Sequence, residues 1–234
     1  MKKFVIGDIH GGYKALVQCL ERSGFNNDED QLISLGDLTD GWPESFEVVE
    51  KLMTIKNLIH TMGNHDIWHY EWLKYGSTPS IWTSQGGQAT IDSYVKNWDK
   101  NMLDKHRHFF DKAVDYHIDN NRAFVHGGFF KGASMESQSR YTLAWDRTLI
   151  EDAYMSHRAK QEPKKPYGGF DEIFIGHSTT IRMNFYEPVK LCNVWCMDQG
   201  GGYEGKLSIM DIDTHEFWQS DKVEDLYPGH HGRN

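Results

Sequence analysis

Short apolar segments alternate with amphipathic ones along the first quarter of the sequence. Apolar runs at residues 4–6, 31–35 and 57–62 have the length and composition of buried β-strands. Between them, the spacing of apolar residues predicts amphipathic helices over residues 13–23 and 45–53. Strand, loop and helix repeated in this order predict an α/β fold with a parallel sheet.

The character of the sequence changes over residues 67–116, which are rich in Trp, Tyr, Lys and His. No Gly/Ser linker bounds this segment, so we interpret it as a mainly helical insertion within a single domain that spans residues 1–234. Its tryptophans, Trp68, Trp72, Trp82 and Trp98, are interpreted as core residues. Two of its histidines, His106 and His108, are expected to be exposed to solvent.

Strand-like segments return in the second half of the sequence. They lie at residues 122–125, 172–175, 190–197 and 206–212, and the last two are predicted to be closing strands. The last dozen residues are polar and are expected to fray.

The charge balance argues against one broad class of partner. Lys and Arg total 25 against 34 for Asp and Glu, a formal net charge of −9 at pH 7, which argues against binding of nucleic acid or an anionic membrane by bulk attraction. The three cysteines match no metal-binding spacing, which favours thiols in a reducing cytosol. The first apolar run is too short for a secretory signal core and no segment approaches a membrane span, so a cytoplasmic protein is expected.

Five of the predicted strands end in a polar cluster flanked by glycine. These clusters carry Asp8 and His10, Asp37 and Asp40, Asn64 and His65, His126, and His177. In parallel α/β sheets, ligands collect at the carboxyl ends of the strands, which is where these clusters fall. Carboxylate, imidazole and amide ligands without thiolates suit Mn, Fe or Zn, and a carboxylate such as Asp37 can bridge two ions about 3.5–4 Å apart. One such cluster alone is usually only a turn, but the ordered set indicates a metal site.

In this order the clusters resemble the calcineurin-like metallophosphoesterases, specifically the bacterial members of the phosphoprotein phosphatase (PPP) type. The similar motifs are Gly7-Asp8-Ile9-His10-Gly11, Gly36-Asp37-Leu38-Thr39-Asp40-Gly41, Gly63-Asn64-His65-Asp66, His126-Gly127-Gly128 and Gly176-His177-Ser178. The resemblance extends from about residue 4 to residue 212. It implies a two-sheet β-sandwich flanked by helices, with four layers in the order α/β/β/α and the metals at one edge.

The resemblance also implies a role for each matching residue. Two divalent metal ions are expected, and Mn is preferred over Fe or Zn. The first ion would be held by Asp8, His10 and Asp37, and the second by Asp37, Asn64, His126 and His177. A hydroxide shared by the ions would attack phosphorus directly and in line, without a phosphoenzyme. His65 would protonate the leaving group, with Asp40 fixing the orientation of its ring.

One departure from the family pattern concerns phosphate binding. The second motif of the family normally continues into an arginine that contacts the phosphate, whereas here Gly41 and Trp42 follow Asp40. Arg147 falls where related enzymes carry another phosphate-binding arginine, and we expect it to be a catalytic residue. The alternative for Arg147 is a surface salt bridge.

The leading functional hypothesis is a phosphomonoesterase of the protein phosphatase type, acting on phosphorylated Ser, Thr or Tyr in a protein or peptide. A small phosphoester is the other expected substrate class, and the alternative enzyme is a dinucleoside polyphosphate (diadenosine tetraphosphate) hydrolase. In that case Trp68, Trp72 or Trp82 would stack on a base. A binding module that has lost catalysis is a second alternative, against which the complete ligand set argues.

Overall fold

Ten short strands form two five-stranded mixed sheets in the computed structural model, which describes residues 1–97, 99–161 and 163–233. The prediction for Trp98 therefore lies outside the described residues. The strands β1 to β10 are, in chain order, Lys3–Ile6, Gln31–Ser34, Asn57–His60, Tyr116–Asp119, Arg122–Val125, Glu172–Ile175, Val189–Leu191, Val194–Cys196, Ser208–Asp211 and Phe217–Gln219. The first sheet has the order β10-β9-β1-β2-β3, and the second has the order β4-β5-β6-β8-β7.

The three N-terminal strands pair in parallel, as predicted. Val5 lies opposite Ile33, and Ile33 lies opposite Ile59. Two amphipathic helices connect these strands and cover one face of the sheet, α1 at Tyr13–Arg22 and α2 at Ser45–Met53. Because both faces of such a sheet are buried, its central strands are continuously apolar rather than alternating with polar residues.

The predicted insertion is helical, as expected from its sequence. The remaining helices, α3 to α9, are Asn64–Tyr75, Ser80–Trp82, Gln88–Lys96, Lys100–Asp111, Arg140–Trp145, Thr148–Ala159 and Val223–Leu226. The first insertion helix begins at Asn64, so the polar cluster after β3 forms the first turn of a helix rather than a loop. Among the described residues, none of the helices combines the length and hydropathy that crossing a membrane requires.

Hydrophobic residues form three layers that follow the two-residue period of the strands. Val5 and Phe124 lie in the cluster between the two sheets. Their neighbours Phe4 and Ile6 lie in the cluster that α1, α2 and the insertion cover. Val125 lies in the cluster beneath α7 and α8 on the other side. The layers therefore run helix, sheet, sheet, helix, which confirms the predicted fold class. The single-domain assignment remains a prediction.

The prediction of one strand over residues 190–197 is wrong. The segment is a hairpin in which Leu191 of β7 pairs antiparallel with Val194 of β8. Cys192 turns the chain with a φ of 56°. Asn193 is the other turn residue, and Asn favours turns, so the sequence carried a signal for this reversal that the prediction missed. Strands β4 and β10 were also not predicted.

Of the tryptophans predicted to be core residues, Trp82 is buried and Trp68 and Trp72 are half-buried, and one histidine that was expected to be exposed is buried. Trp82 is fully buried and Trp72 packs against it and against Tyr94. His106 is also buried, since its Nδ1 lies 2.7 Å from the Tyr94 hydroxyl and its Nε2 lies 2.7 Å from Glu50 Oε1. His108 is exposed, as predicted.

The expectation that the last dozen residues fray is wrong for those that the structure describes. Val223 and Tyr227 are buried, and Tyr227 stacks on Trp42. Farther along, the backbone N–H of Arg233 donates to the carbonyl of Gly202 at 2.7 Å. The segment of residues 229–233 is thus packed back against the body of the protein.

Candidate metal centre

The five polar clusters meet at one edge of the two sheets. The loops after β1 and β2 and the first turn of α3 come from the first sheet, and the loops after β5 and β6 come from the second. All eight predicted residues of these clusters are buried, namely Asp8, His10, Asp37, Asp40, Asn64, His65, His126 and His177. The carboxyl ends of the strands therefore bring together residues that are up to 169 positions apart in the sequence.

The predicted metal ligands form two groups that share Asp37. In each group the ligand atoms all lie within 4.8 Å of one another; one group is Asp8, His10 and Asp37, and the other is Asp37, His126 and His177. Asn64 belongs beside the second group, because its Oδ1 lies 3.2 Å from Nε2 of His126.

Several of these ligand atoms have no hydrogen-bond partner among the described residues. They are Asp8 Oδ1, Asp37 Oδ2 and His177 Nε2, and all are inaccessible to solvent. The Asp37 oxygen lies 3.3 Å from His126 Nε2, but without hydrogen-bond geometry. Buried polar atoms nearly always have a partner, and a metal ion would supply one to all three atoms.

Two histidines are held in the tautomer that suits a metal ligand. Nδ1 of His10 lies 3.0 Å from the Thr39 carbonyl, and Nδ1 of His126 lies 2.7 Å from the Leu35 carbonyl. A carbonyl only accepts, so each Nδ1 carries a proton and Nε2 is the nitrogen left to bind a metal ion. Both Nε2 atoms face Asp37, at 3.6 and 3.3 Å.

Backbone strain is concentrated at this edge. Four of the ten non-glycine residues with positive φ among those described are candidate site residues, His10, Asp37, Asp40 and His177, with φ between 51° and 76°. Such conformations cost free energy and are typical of functional sites. Close approach also requires Gly176, where a Cβ would lie 2.0 Å from Oδ1 of Asp8.

The electrostatics of the cluster favour a bound cation. Burial and the neighbouring Asp198 raise the pKa of Asp8 well above its usual value. Burial alone would lower the pKa of His126, but Asp37 outweighs it and raises that pKa to about 9. Asp198 was not identified from the sequence, although an acidic residue directly after a predicted strand is a signal that could have found it.

His65 and Asp40 form a buried pair. Nδ1 of His65 lies 2.7 Å from Oδ2 of Asp40, and Nε2 of His65 has no partner among the described residues. Burial raises the pKa of Asp40 to about 8 and lowers the pKa of His65 to about 3. Asp40 also accepts hydrogen bonds from the Trp82 indole at 2.6 Å and the Thr90 hydroxyl at 2.7 Å. The insertion therefore fixes this pair, which the sequence did not indicate.

Asp66 connects two of the clusters. Its carboxylate accepts backbone N–H groups from Asp37 at 2.7 Å, Leu38 at 2.9 Å and Gly63 at 3.0 Å. Gly63 is the N-cap residue of α3, and an acidic residue three positions later commonly accepts the N–H of the N-cap residue, as Asp66 does here. Asp66 thereby holds the loop that carries Asp37 against the start of α3.

Two arginines border the cluster. Nη1 of Arg147 donates to the Ser178 hydroxyl at 2.9 Å and to the His177 carbonyl at 3.3 Å, and so Arg147 contacts the loop of a candidate ligand. A surface ion pair of Arg147 is not found among the described residues. Arg233 was not identified from the sequence, yet its Nη1 lies 3.1 Å from Nε2 of His10.

Comparison with known proteins agrees with this arrangement of fold and site. The sequence model of the calcineurin-like phosphoesterases matches residues 1–203. A symmetrical bis(5'-nucleosyl)-tetraphosphatase from Coxiella burnetii is 29% identical over 126 residues, 53% of this chain and 41% of that protein. Another from Buchnera aphidicola is 43% identical over 68 residues, 29% of this chain and 25% of that protein. The chain thus spans less than half the length of these curated relatives.

A solved structure extends the similarity of fold to the whole chain. A protein serine/threonine phosphatase from Saccharomyces cerevisiae superposes with a TM-score of 0.63 at 13% identity, over 99% of this chain and 82% of that chain. At this level of identity the match shows a shared fold.

Proposed function

The chain belongs to the calcineurin-like phosphoesterase family, and from that premise we propose that it is a two-metal phosphoester hydrolase whose substrates are dinucleoside polyphosphates. The observation that carries the two-metal proposal is the pair of ligand groups joined at Asp37, with His65 beside them.

The donor set fits two divalent ions with oxygen and nitrogen ligands. Asp8, His10 and Asp37 would hold one, and Asp37, Asn64, His126 and His177 would hold the other. The absence of thiolate favours Mn, with Fe or Zn as alternatives. When bound, the ions would lower the pKa of a water molecule toward neutrality and offset charge on the phosphate.

His65 would act as the general acid in its doubly protonated form, and the negative charge of a bound phosphate would favour that form against the effect of burial, which lowers its pKa to about 3. Its Nε2 is unpartnered among the described residues and close to the ligand groups, since the His10 and His65 rings are 5.1 Å apart. Asp40 accepts from the other ring nitrogen and so keeps Nε2 directed at the leaving group. Trp82 and Thr90 hold Asp40 in turn, which leaves little freedom for the ring to rotate away from the reacting oxygen.

Arg147 would bind a phosphate oxygen. Its guanidinium is exposed but anchored through one nitrogen to Ser178 beside His177. The remaining N–H groups of its fork can donate to a phosphate oxygen near the second ligand group.

Arginines line two cavities near the site. A cavity of about 210 Å³ is lined by Arg147, Arg182 and Tyr203, and a second of about 400 Å³ is lined by Arg182, Tyr203 and Arg233. Three glutamates lie in the same linings, so the cavities are not cationic as a whole, but each guanidinium can donate to a phosphate oxygen. Support for a polyphosphate substrate comes mainly from the bacterial relatives, which are named bis(5'-nucleosyl)-tetraphosphatases.

The aromatic residues placed to contact a base are only partly those expected from the sequence, which were Trp68, Trp72 and Trp82. Trp82 and Trp72 are part of the core, but Trp68 is half-buried and its ring lies 5.0 Å from that of His65. Trp145 packs on Trp68 at 5.8 Å, and the exposed ring of Tyr141 stacks on Trp145 at 5.2 Å. This row of rings begins at the proposed acid, on the side where a nucleotide leaving group would stand.

A comparison of two substrate classes tests the proposal. The Mn-loaded protein should hydrolyse diadenosine tetraphosphate with a much higher kcat/KM than any member of a phosphopeptide panel at the same metal concentration. Tyr141→Ala should raise KM for the nucleotide about tenfold, on the scale of one lost stacking contact. The control Tyr186→Ala, which removes an equally exposed ring elsewhere, should not. A preference for phosphopeptides would return the protein phosphatase hypothesis to first place.

Metal analysis separates the enzyme from a non-catalytic binding module. The untagged protein should hold about two equivalents of Mn, Fe or Zn after reconstitution. Less than about one equivalent, together with no turnover of either substrate class, would favour the binding module.

A further inference from the structure

The side chain of Arg233 fills the space next to Gly41. A Cβ built on Gly41 would lie 3.1 Å from Cγ of Arg233, and Gly41 itself has a φ of 111°, a conformation that L-residues rarely adopt. Gly86 closes the other side, because the Gly41 N–H donates to its carbonyl at 3.1 Å. A side chain at the position directly after Asp40 would therefore be strained in this backbone, and the stem of an arginine from elsewhere in the sequence lies beside that position.

The segment of residues 229–233 is fitted to deliver this guanidinium. A Cβ on Gly232 would lie 2.3 Å from the Gly202 carbonyl and 2.9 Å from the Trp42 ring, so only glycine permits the approach. The Arg233 N–H is bonded to Gly202, and its guanidinium lies over the ring of Tyr203 at 5.3 Å. These contacts hold the backbone and the stem of the side chain.

The far end of the side chain faces the candidate metal centre with unused donors. Nη1 lies 3.1 Å from Nε2 of His10, and Nη2 donates to Oε1 of Gln85 at 3.3 Å. Nε is inaccessible to solvent and has no partner among the described residues. Neither Nη1 nor Nη2 contacts a carboxylate among the described residues, so within that part of the protein this guanidinium has no counter-charge in direct contact.

From these contacts we propose that Arg233 binds the phosphate that is hydrolysed, in the place where residue 41 has no side chain. This inference rests on the proposed phosphoester hydrolysis. A phosphate oxygen would accept from the second N–H of Nη1 or Nη2, and the phosphate would supply the missing counter-charge. Arg147 would bind the same group from the opposite side, beside His177.

The test compares Arg233→Ala, Arg233→Lys and the matched control Arg158→Ala, which removes an exposed arginine from α8. Binding of inorganic phosphate to each Mn-loaded protein is measured by calorimetry, together with Mn content and with kcat/KM for diadenosine tetraphosphate. Arg233→Ala should keep its Mn content, weaken phosphate binding at least tenfold and lower kcat/KM about 10²-fold. Arg233→Lys should recover part of both losses because it keeps the charge, and Arg158→Ala should equal the wild type.

Three results would overturn the inference. Unchanged phosphate binding in Arg233→Ala would show that the guanidinium does not meet the phosphate. Higher activity in that variant would identify the segment of residues 229–233 as an inhibitory cover of the site. Loss of Mn would make Arg233 a positioning residue for His10. A wild-type protein without metal or turnover would instead overturn the proposed function itself.

Discussion

The indole N–H of Trp82 donates a 2.6 Å hydrogen bond to Oδ2 of Asp40, the oxygen that also faces Nδ1 of His65. A residue of the helical insertion thus controls the orientation of the proposed acid. The position of His65 depends on both the sheet edge and the packing of α3 to α5.

Trp82→Phe should lower kcat about tenfold while Mn content and KM stay near the wild type. The substitution keeps an aromatic ring but removes one donor to a buried carboxylate, a loss of about 1–3 kcal/mol. Trp72→Phe is the matched control, because Trp72 packs on Trp82 without a bond to Asp40. An equal effect of both substitutions on kcat would show that packing, not the hydrogen bond, matters.

Asp37→Asn should lose metal and activity together. Asp37 belongs to both ligand groups, so the change weakens both metal positions at once. Elemental analysis and turnover at a series of Mn concentrations check this. Asp211→Asn on β9 is the control for loss of a buried acidic residue. Turnover retained by Asp37→Asn at wild-type Mn affinity would refute the bridging assignment.

Arg147→Ala should lower kcat roughly 10²-fold, the scale of losing one charge-stabilising donor. The side chain is exposed, so the fold should not change, and circular dichroism can verify this. Steady-state kinetics measure kcat of this variant, with Arg158→Ala as the control for loss of an exposed arginine. An effect under about threefold would leave Arg147 as a support for the His177 loop only.

Burial of His69 should contribute a loss of stability below pH 6.5. His69 is buried among Trp72, Tyr94 and Phe110, and burial lowers its pKa well below 6.5. Below pH 6.5 the unfolded chain binds a proton that folded His69 does not, so stability falls by about 1.4 kcal/mol per pH unit for this residue. Burial also lowers the pKa of His60, to about 3, which adds to the same trend.

Urea unfolding at pH 7.5 and 5.5 measures that loss. His69→Phe keeps an aromatic ring in the pocket and cannot bind a proton, so its loss of stability between the two pH values should be smaller by about 1.4 kcal/mol. An unchanged difference between the two pH values would exclude His69 as a source of the acid sensitivity.

Local patterns predicted much of this molecule. The strands that carry Asp8, Asp37 and Asn64 are short apolar runs, and each run ends where its polar cluster begins. Because parallel strands bring such ends together, the clusters predicted a metal site at this edge, and the resemblance to the calcineurin-like metallophosphoesterases implied which six residues are ligands. The bounds of α1 and α2 followed from apolar spacing in the same way.

Features that depend on contacts distant in sequence could not be predicted. His106 lies in a charged run, yet Tyr94 and Glu50 satisfy both ring nitrogens and allow its burial. Arg233 is 223 positions from His10. Its polar surroundings are typical of a frayed end, and only Gly41, Gly202 and Gly232 leave room for it. The hydrophobic periodicity of a sequence does not indicate where distant glycines together leave space for a side chain.

The candidate ligands come from both sheets, and this has a consequence for stability. Asp8, His10, Asp37 and Asn64 follow strands of the first sheet, whereas His126 and His177 follow strands of the second. Bound ions would therefore cross-link the two halves of the sandwich at an edge where strained backbone and like charges otherwise oppose folding. At a metal concentration of 100 times Kd this linkage contributes about 2.7 kcal/mol to folding. The edge that performs the chemistry would then also be the first part of the metal-free protein to open.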